Sequence, residues 1–347
     1  MKKTEKIERI GIVGGGQLAQ MMIAPAHELG LRITVLDPES TCSAASLADD
    51  YVQGGFSDVQ CLELLAKKTD VVTLEIEKAD ATTLSQLESR GSLIRPSSRV
   101  LEIIQDKYVQ KCFLRRSEIP TSSFYSAANA SEIVTSLPLV VKARRDGYDG
   151  RGVALIRVPA DLEEIEAWPM LVEEVVDIDY ELAIVVARNV QGSINCYPVV
   201  DMFMDPDKHV MDMVVAPSTA PEGVQARCKA LAEEIAETLD YIGVLAVEFF
   251  VDRTGSVFVN EISPRPHNSG HYTIEACHTS QFEQHLRAVS GRSLGNADML
   301  TPAVTFNILG EKNSTGLPRY VGFENWGDPS IHVHSYDKAE VKPNRKM

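Results

Sequence analysis

No two of the six cysteines stand as a Cys-x-x-Cys pair: Cys42, Cys61, Cys112, Cys196, Cys228 and Cys277 are scattered along 347 residues. That argues against a zinc ribbon and a secreted disulfide framework, and points to a reducing, cytoplasmic setting. No apolar run reaches the length of a membrane span. No charged-then-apolar leader is read at the start, where Lys2, Lys3, Lys6 and Arg9 are mixed with Glu5 and Glu8. Positive charge is scarce: 34 Lys and Arg stand against 49 Asp and Glu, a net charge of −15. A surface of that sign repels nucleic acid, so positive charge for an anionic substrate has to be gathered locally. Internal repeats and low-complexity linkers are missing too. What remains is 44% hydrophobic and 24% charged, ordinary for a soluble globular chain with room for two or three domains.

The first hundred residues alternate strand and helix. Residues 7–13 read as a strand turned by Gly14, Gly15 and Gly16, followed by a helix from Gln17 to Leu29 that stops at Gly30. Ile33–Leu36, a short strand at Val52, a helix over Ser57–Lys68 and a strand over Val71–Ile76 continue the pattern. This βαβαβ order predicts a parallel sheet with helices on both faces. A helix over Leu101–Arg116 stops before Pro120, near which a second alternating unit begins. There Leu139–Ala143 and Val153–Val158 flank a glycine-rich loop, and Leu171–Val176 is a further strand. Longer strands follow at Tyr180–Arg188, Ser193–Val200, Val244–Val251 and Val257–Glu261, with a helix over Glu222–Leu239. The stretch 301–347 carries short strands at Val304–Ile308 and Ile331–Tyr336.

The run from Glu261 to His271 is the densest in chemistry. Two prolines unsuit it to a helix or a central strand. Yet it holds a carboxylate, the Arg265 guanidinium, the His267 and His271 imidazoles and the Asn268 amide. That is the make-up of a preorganised anion or metal site; an ordinary surface turn is the plain alternative. Upstream, Gly14-Gly-Gly-Gln-Leu-Ala19 fits G-x-G-x-x-A after a strand, with Asp37 ending the next one. Its physical core is a helix N-terminus whose N–H groups suit a phosphate, of a dinucleotide or of another ligand; a tight βα turn with no ligand is the plain alternative. In a second glycine-rich segment, Lys142 leads into Gly147-Tyr-Asp-Gly-Arg-Gly152. That reads as a lid over a nucleotide triphosphate, or as a solvated basic hairpin. It is not a Walker loop, because no GK[ST] opens a helix.

Glu248 and Glu261 sit in apolar strands. If Thr254-Gly255 forms a two-residue turn, the pair falls opposite on one sheet face, where the carboxylates repel unless a cation lies between. Such oxygens suit Mg²⁺ bridging phosphates. Glu173, Glu174 and Glu181 are candidate acceptors for ribose hydroxyls or bland surface acids. The tail Asp337–Lys346 either closes over an anion or is a solvated basic end. His332 and His334 alternate with no third ligand nearby and read as structural.

In this order the pieces resemble the ATP-grasp superfamily. More narrowly, they are similar to the N5-carboxyaminoimidazole ribonucleotide synthetase family of purine biosynthesis. The likeness is carried nearly end to end by Gly14–Leu18, Glu75-Ile-Glu77, Gln105-Asp-Lys107, Gly147–Gly152, Asn260-Glu261 and Pro264-Arg-Pro-His-Asn-Ser-Gly-His271. Ser280-Gln-Phe-Glu283 and His334-Ser-Tyr-Asp-Lys338 complete it. The resemblance implies an α/β ATP-grasp fold. Its parts would be an N-terminal Rossmann-like domain over 1–105, a lid over 106–177, a central α+β domain over 178–298 and a C-terminal lobe over 299–347.

It also implies a homodimer through the N-terminal domain and a ligase that carboxylates the amine of 5-aminoimidazole ribonucleotide with bicarbonate and ATP. Bicarbonate would attack the γ-phosphate to give carboxyphosphate, which carboxylates the amine after releasing CO₂ within the site. By matching position, Lys107 and Lys142 bind ATP phosphates. Gly147, Tyr148, Asp149, Gly150, Arg151, Gly152 and Val153 cover them. Glu173, Glu174, Val175 and Val176 line the adenine, Glu181 holds the ribose, and Asn260 and Glu261 also bind ATP. Glu248 and Glu261 hold Mg²⁺ or Mn²⁺. Arg265, His267, Asn268 and Lys338 position bicarbonate or carboxyphosphate. Tyr148, Asp149 and Arg151 face the imidazole, with Asp149 managing the amine proton and Arg151 as its charge partner. Gln17, Leu18, Glu75, Arg345 and Lys346 hold the ribonucleotide, the last two through its phosphate.

Three departures stand out. Asp146 replaces a second glycine, which implies a stiffer or differently started lid. Met204 falls where relatives carry a nucleotide-contacting histidine. The chain stops at Lys346-Met347 where relatives continue with Gly-His, so the C-terminal lobe is expected to be cropped. Two rivals explain less. A formate-dependent glycinamide ribonucleotide transformylase shares Ser-Pro-Arg-Pro-His but lacks the paired glycine lid and HNSGH. An NAD-dependent oxidoreductase would use residues 14–19 and Asp37 but leaves Glu248, Glu261 and the second glycine loop unexplained.

Overall fold

The computed structural model describes residues 6–133, 136–147, 152–165, 168–205, 210–311, 314–320 and 327–347. Strands β1 (Arg9–Val13), β2 (Arg32–Asp37), β3 (Asp50–Gln53) and β4 (Val71–Leu74) pair in parallel in the order β3-β2-β1-β4. Their apolar runs are buried on both sides, as a helix-covered parallel sheet requires. Helices α1 (Gln17–Glu28), α2 (Val59–Lys68) and α3 (Ala81–Ser89) belong to this layer. Gly30, at φ +67°, turns the chain after α1.

The helix expected over Leu101–Arg116 is two helices, α4 (Ser98–Ile104) and α5 (Lys107–Arg116). Asp106 breaks it. Its backbone is extended, and its carboxylate accepts the N–H groups of Tyr108 and Val109 while pairing with Arg144 at 2.6 Å. Gln105 turns aside to donate to the carbonyls of Glu77 and Ala79 at 2.6 and 2.7 Å. The break makes Lys107 the first residue of α5.

Strands β5 (Phe124–Ala127), β6 (Leu139–Ala143), β7 (Val153–Ile156) and β8 (Met170–Glu174) form a small antiparallel sheet in the order β5-β8-β6-β7. Strand β8 ends at Glu174, so Val175 and Val176 lie in the connection to the next sheet rather than in a strand.

That third sheet is antiparallel: β9 (Ile178–Arg188), β10 (Ile194–Cys196), β11 (Val200–Met204), β12 (Met211–Ala216), β13 (Gly243–Asp252), β14 (Val257–Ser263) and β15 (Ala303–Phe306). The strand expected over Ser193–Val200 divides into β10 and β11 around Tyr197–Val199. The strand expected at Ile331–Tyr336 is irregular backbone, where His332 and His334 instead reach Glu275 at 3.9 and 2.9 Å. Helix α6 (Glu222–Thr238) covers one face of the sheet. On the other, α7 (Thr273–Ala276) and α8 (Gln281–Val289) follow the 261–271 run. Helix α8 also packs on α1. Its buried His285 accepts the Val244 N–H at 3.1 Å and meets the Thr73 hydroxyl at 2.7 Å, tying β13 to β4. Burial pushes this imidazole down to about 3, so it stays neutral.

Candidate active site

Glu248 does lie opposite Glu261, by a different route from the one expected. Phe249 pairs with Val259 and Val251 with Val257, so the hairpin loop is one residue longer than a Thr254-Gly255 turn. A bulge beside Glu248 restores the register by leaving Asn260 as the extra residue. The in–out alternation along β14 breaks at that point, and Asn260 and Glu261 are both half-buried. The Asn260 amide donates to Glu248 at 3.3 Å.

Burial, aided by the neighbouring Glu261, lifts the Glu248 carboxyl to about 7. Burial alone would also raise Glu261, but the Lys107 ammonium and its hydrogen bond outweigh that and hold it down. No three His, Cys, Asp or Glu side chains among the described residues are grouped to hold a metal unaided. Two carboxylates and an amide oxygen from one side suit Mg²⁺, which keeps waters and phosphate oxygens as its remaining ligands.

Facing this edge is Lys142 on β6. Its ammonium meets Asn260 Oδ1 at 2.9 Å and Glu173 Oε2 at 2.7 Å, with the Phe250 ring centroid 5.9 Å away. Glu181 sits on the Glu248 face of the sheet opposite Phe250, its carboxyl raised by burial. Glu173 is not turned to open space. It is 4% exposed, and its other oxygen takes Lys111 at 2.7 Å and the Ser122 hydroxyl at 2.5 Å. Glu174, the last residue of β8, and Val175 after it are exposed. Gly147 and Gly152 flank Tyr148, Asp149, Gly150 and Arg151, which lie outside the described residues. Gly152, at φ +75°, lies where a Cβ would strike Ala143, and Val153 opens β7. Asp146 stands at φ +60°, keeping the left-handed backbone that the expected glycine would adopt.

The 261–271 run is held by one buried amide. Gln281 accepts the His267 N–H at 2.9 Å, donates to its carbonyl at 2.7 Å and meets His271 Nδ1 at 3.1 Å. His267 Nδ1 lies 3.3 Å from the Ser269 N–H that donates to it, and Nε2 points at Glu248 from 3.5 Å. Burial and the Arg265 charge keep His267 neutral. Arg265 pairs with Glu77 at 2.8 Å. Asn268 exchanges amide hydrogen bonds with Asn307 at 2.9 and 2.8 Å and donates to the Tyr336 hydroxyl at 3.2 Å. Its amide hydrogens are thus committed to bracing. His271 packs against Phe282 and Tyr336.

The first glycine loop departs from its expected use. The Gly15 N–H donates to Asp37 at 2.8 Å and the Gly16 N–H to Glu75 at 2.9 Å. A Cβ on Gly16 would fall 2.7 Å from the Glu75 carboxylate, and one on Gly15 would strike the Cys42 sulfur and fall 3.1 Å from the Asp37 Cβ. The glycines therefore admit the protein's own carboxylates, which occupy the cradle that a dinucleotide phosphate would need. Burial raises Glu75 to about 7 against the opposing pull of this N–H, Arg265 and Lys338. Lys338 donates to Gln17 at 2.5 Å, and Gln20 donates to Asp337 at 2.6 Å. Leu18 packs in the core below. Lys346 pairs with Leu309 as a bridge and is close enough to depress His267 and His271, while Arg345 is exposed beside it.

Lys111, Gln281 and the Glu77 carboxylate escaped the sequence reading. Their signals were present. Lys111 lies one helical turn after Lys107, Gln281 stands in the Ser280–Glu283 motif, and Glu77 follows Glu75 by two.

Comparison with known proteins agrees with this layout. The ribonucleotide synthetase preATP-grasp domain matches residues 7–105, the ATP-grasp domain 112–282, and the phosphoribosylaminoimidazole carboxylase C-terminal domain 303–347. A chloroplastic phosphoribosylaminoimidazole carboxylase from Vigna aconitifolia is 39% identical over 97% of this chain, which spans 62% of that longer protein. The crystal structure of N5-carboxyaminoimidazole ribonucleotide synthetase from Thermotoga maritima superposes with a TM-score of 0.91 at 42% identity, covering 98% of this chain and 92% of that one. An Aspergillus clavatus N5-carboxyaminoimidazole synthase in complex with ADP and 5-aminoimidazole ribonucleotide gives 0.88 at 29% identity, covering 99% and 92%. With its three layers in this order and its acidic edge opposite Lys142, the chain belongs to the N5-carboxyaminoimidazole ribonucleotide synthetase family of ATP-grasp ligases.

Proposed function

We propose that this chain joins bicarbonate to the exocyclic amine of 5-aminoimidazole ribonucleotide at the expense of ATP, forming N5-carboxyaminoimidazole ribonucleotide, ADP and phosphate. One observation carries the reading. The 261–271 run is a seam, with the Glu248–Glu261 edge and Lys142 on one side and Glu75, Gln17 and Lys338 on the other.

In this reading Lys107 exchanges its Glu261 partner for ATP phosphates, Lys142 meets them while keeping Glu173, and Glu248 and Glu261 hold Mg²⁺ through their oxygens. The metal supplies charge neutralisation on the phosphates. Glu181 takes the ribose, and the segment from Glu173 to Val176 runs beside the adenine. The cavity lined by Lys107, Lys111, Lys142, Asn260 and Glu261 measures about 10 Å³. That is far below what a nucleotide occupies, so the Lys107–Glu261 contact that closes it opens when ATP enters.

Arg265, His267 and Lys338 orient bicarbonate, whose oxygen attacks the γ-phosphorus as ADP leaves. Asn268 fixes the loop that carries Arg265 and His267. Carboxyphosphate then splits into CO₂ and phosphate. The amine nitrogen bonds to the CO₂ carbon and loses its proton, with Asp149 as acceptor beside Arg151 and Tyr148. Carboxyphosphate is labile to water, which is the reason for a lid formed by residues 147–153. Gln17 and Glu75 hold the ribonucleotide, the backbone at Leu18 lines it, and Arg345 and Lys346 take its phosphate. A homodimer through the first layer and a cytoplasmic setting belong to the same reading. No helix among the described residues is long and apolar enough to cross a membrane.

The test is phosphate release from ATP with bicarbonate and 5-aminoimidazole ribonucleotide omitted in turn. Full turnover is expected to need both. Stimulation by formate with glycinamide ribonucleotide, or hydride transfer to NAD, would overturn the assignment.

A further inference from the structure

Lys111 lines the small cavity beside Lys107 and Lys142, yet the partners of its ammonium are the protein's own groups. It lies on α5 four residues after Lys107, hence on the same helix face. It is 2% exposed. Its ammonium meets Glu173 Oε1 at 2.7 Å, the Thr121 hydroxyl at 2.6 Å, and the Ser122 hydroxyl and Val259 carbonyl at 3.2 Å each. These partners come from three places: the entry to the small sheet (121–122), its strand β8 and strand β14 of the large sheet. The Val259 N–H also donates to the Pro120 carbonyl at 2.8 Å.

The bonds form a short chain. Lys111 holds one oxygen of Glu173, and the other oxygen holds Lys142 at 2.7 Å. Lys142 is then fixed between Glu173 and Asn260. A carboxylate this deeply buried keeps its charge only beside cations. Lys142 shares its charge with the phosphates once ATP is bound, so it then offsets Glu173 only in part. A second, permanent cation removes the conflict.

We propose that Lys111 is a positioning residue for ATP: it keeps Glu173 ionised and fixed at the joint between the two sheets, so that Glu173 aims the Lys142 ammonium at the phosphates. The inference rests on the reading of Lys142 as a phosphate ligand. It assigns to Glu173 a role through its side chain, separate from any contact of the neighbouring backbone with adenine.

Steady-state kinetics on the full chain test this with Lys142→Ala, Lys111→Met, Lys111→Arg and the double variant Lys111→Met/Glu173→Gln. Lys111→Met is expected to raise KM for ATP by about tenfold or more, the value of one well-placed ionic hydrogen bond, and to leave KM for the ribonucleotide within about twofold. Lys111→Arg restores most of the loss because it keeps the charge. The double variant removes both buried charges, so its melting temperature recovers relative to Lys111→Met while KM for ATP stays high. That separates positioning from folding even if Lys111→Met alone is too unstable to assay. Wild-type KM for ATP in the double variant, with Lys142→Ala impaired, would overturn the role of Lys111 and leave the site reading standing. Wild-type KM for ATP in Lys142→Ala would overturn the site reading itself.

Discussion

Glu248 and Glu261 face each other across β13 and β14 because Asn260 is one residue too many for a regular ladder. The surplus residue is what turns the second carboxylate, together with its own amide, toward the first.

Glu261→Gln is expected to lower kcat about a hundredfold or more and to raise the Mg²⁺ concentration needed for half-maximal turnover. Phosphate release measured across a Mg²⁺ titration decides it. Turnover like that of the wild type would remove the metal assignment.

The pH dependence of stability follows from Glu248. Its carboxyl stands at about 7 in the fold against 4.5 for an ordinary glutamate, so the folded protein holds the proton more tightly than the unfolded one. The stability this contributes is complete below about pH 4.5 and is lost as pH rises through about 7. Glu248→Gln keeps the shape and removes the titration. In metal-free buffer it should exceed the wild type in stability by on the order of 1–3 kcal/mol at pH 8 and by nothing near pH 4. Equal denaturant midpoints at both pH values would show that the carboxyl is not held this way.

The filled glycine cradle makes its own forecast. Gly14 stands at φ +101° with Glu75 against the place of its missing Cβ. Gly14→Ala should cost about 1–2 kcal/mol from backbone strain and displace Glu75, raising KM for the ribonucleotide more than KM for ATP. NADH fluorescence should be unchanged by the wild-type protein. Saturable NADH binding would mean that Asp37 and Glu75 yield the cradle.

Gln281 has no access to solvent and clamps His267 at both backbone ends. Gln281→Ala leaves those groups without partners and should destabilise the protein by about 2–4 kcal/mol. Bicarbonate titration at fixed ATP should show KM for bicarbonate rising about tenfold in the same variant. A stability loss with no change in that KM would make the clamp purely structural.

Much of this was legible in the sequence because strands, glycine turns and charged strand ends are local signals. The three layers follow from the order of apolar runs, and Glu248 against Glu261 follows from pairing arithmetic. That arithmetic reached the right pair by two compensating errors, a loop one residue too short and an unforeseen bulge, because β-bulges leave no reliable local mark. The split at Asp106 was equally hidden. Helical periodicity runs on through Gln105 and Asp106, and only Arg144 and the carbonyls of Glu77 and Ala79, far away in sequence, show why both side chains turn out of it. What fills the glycine loop was hidden for the same reason. Sequence shows that a helix N-terminus is available, not that Asp37 and Glu75 have already taken it.

Gln17 and Lys338 stand 321 residues apart and touch. During synthesis every residue of the Lys142, Glu248 and Glu261 cluster has left the ribosome well before Lys338 is made. Chains that end before residue 338 thus carry the Lys142, Glu248 and Glu261 cluster without the Gln17–Lys338 contact. The order of translation itself keeps these two clusters from being assembled together before residue 338 is made.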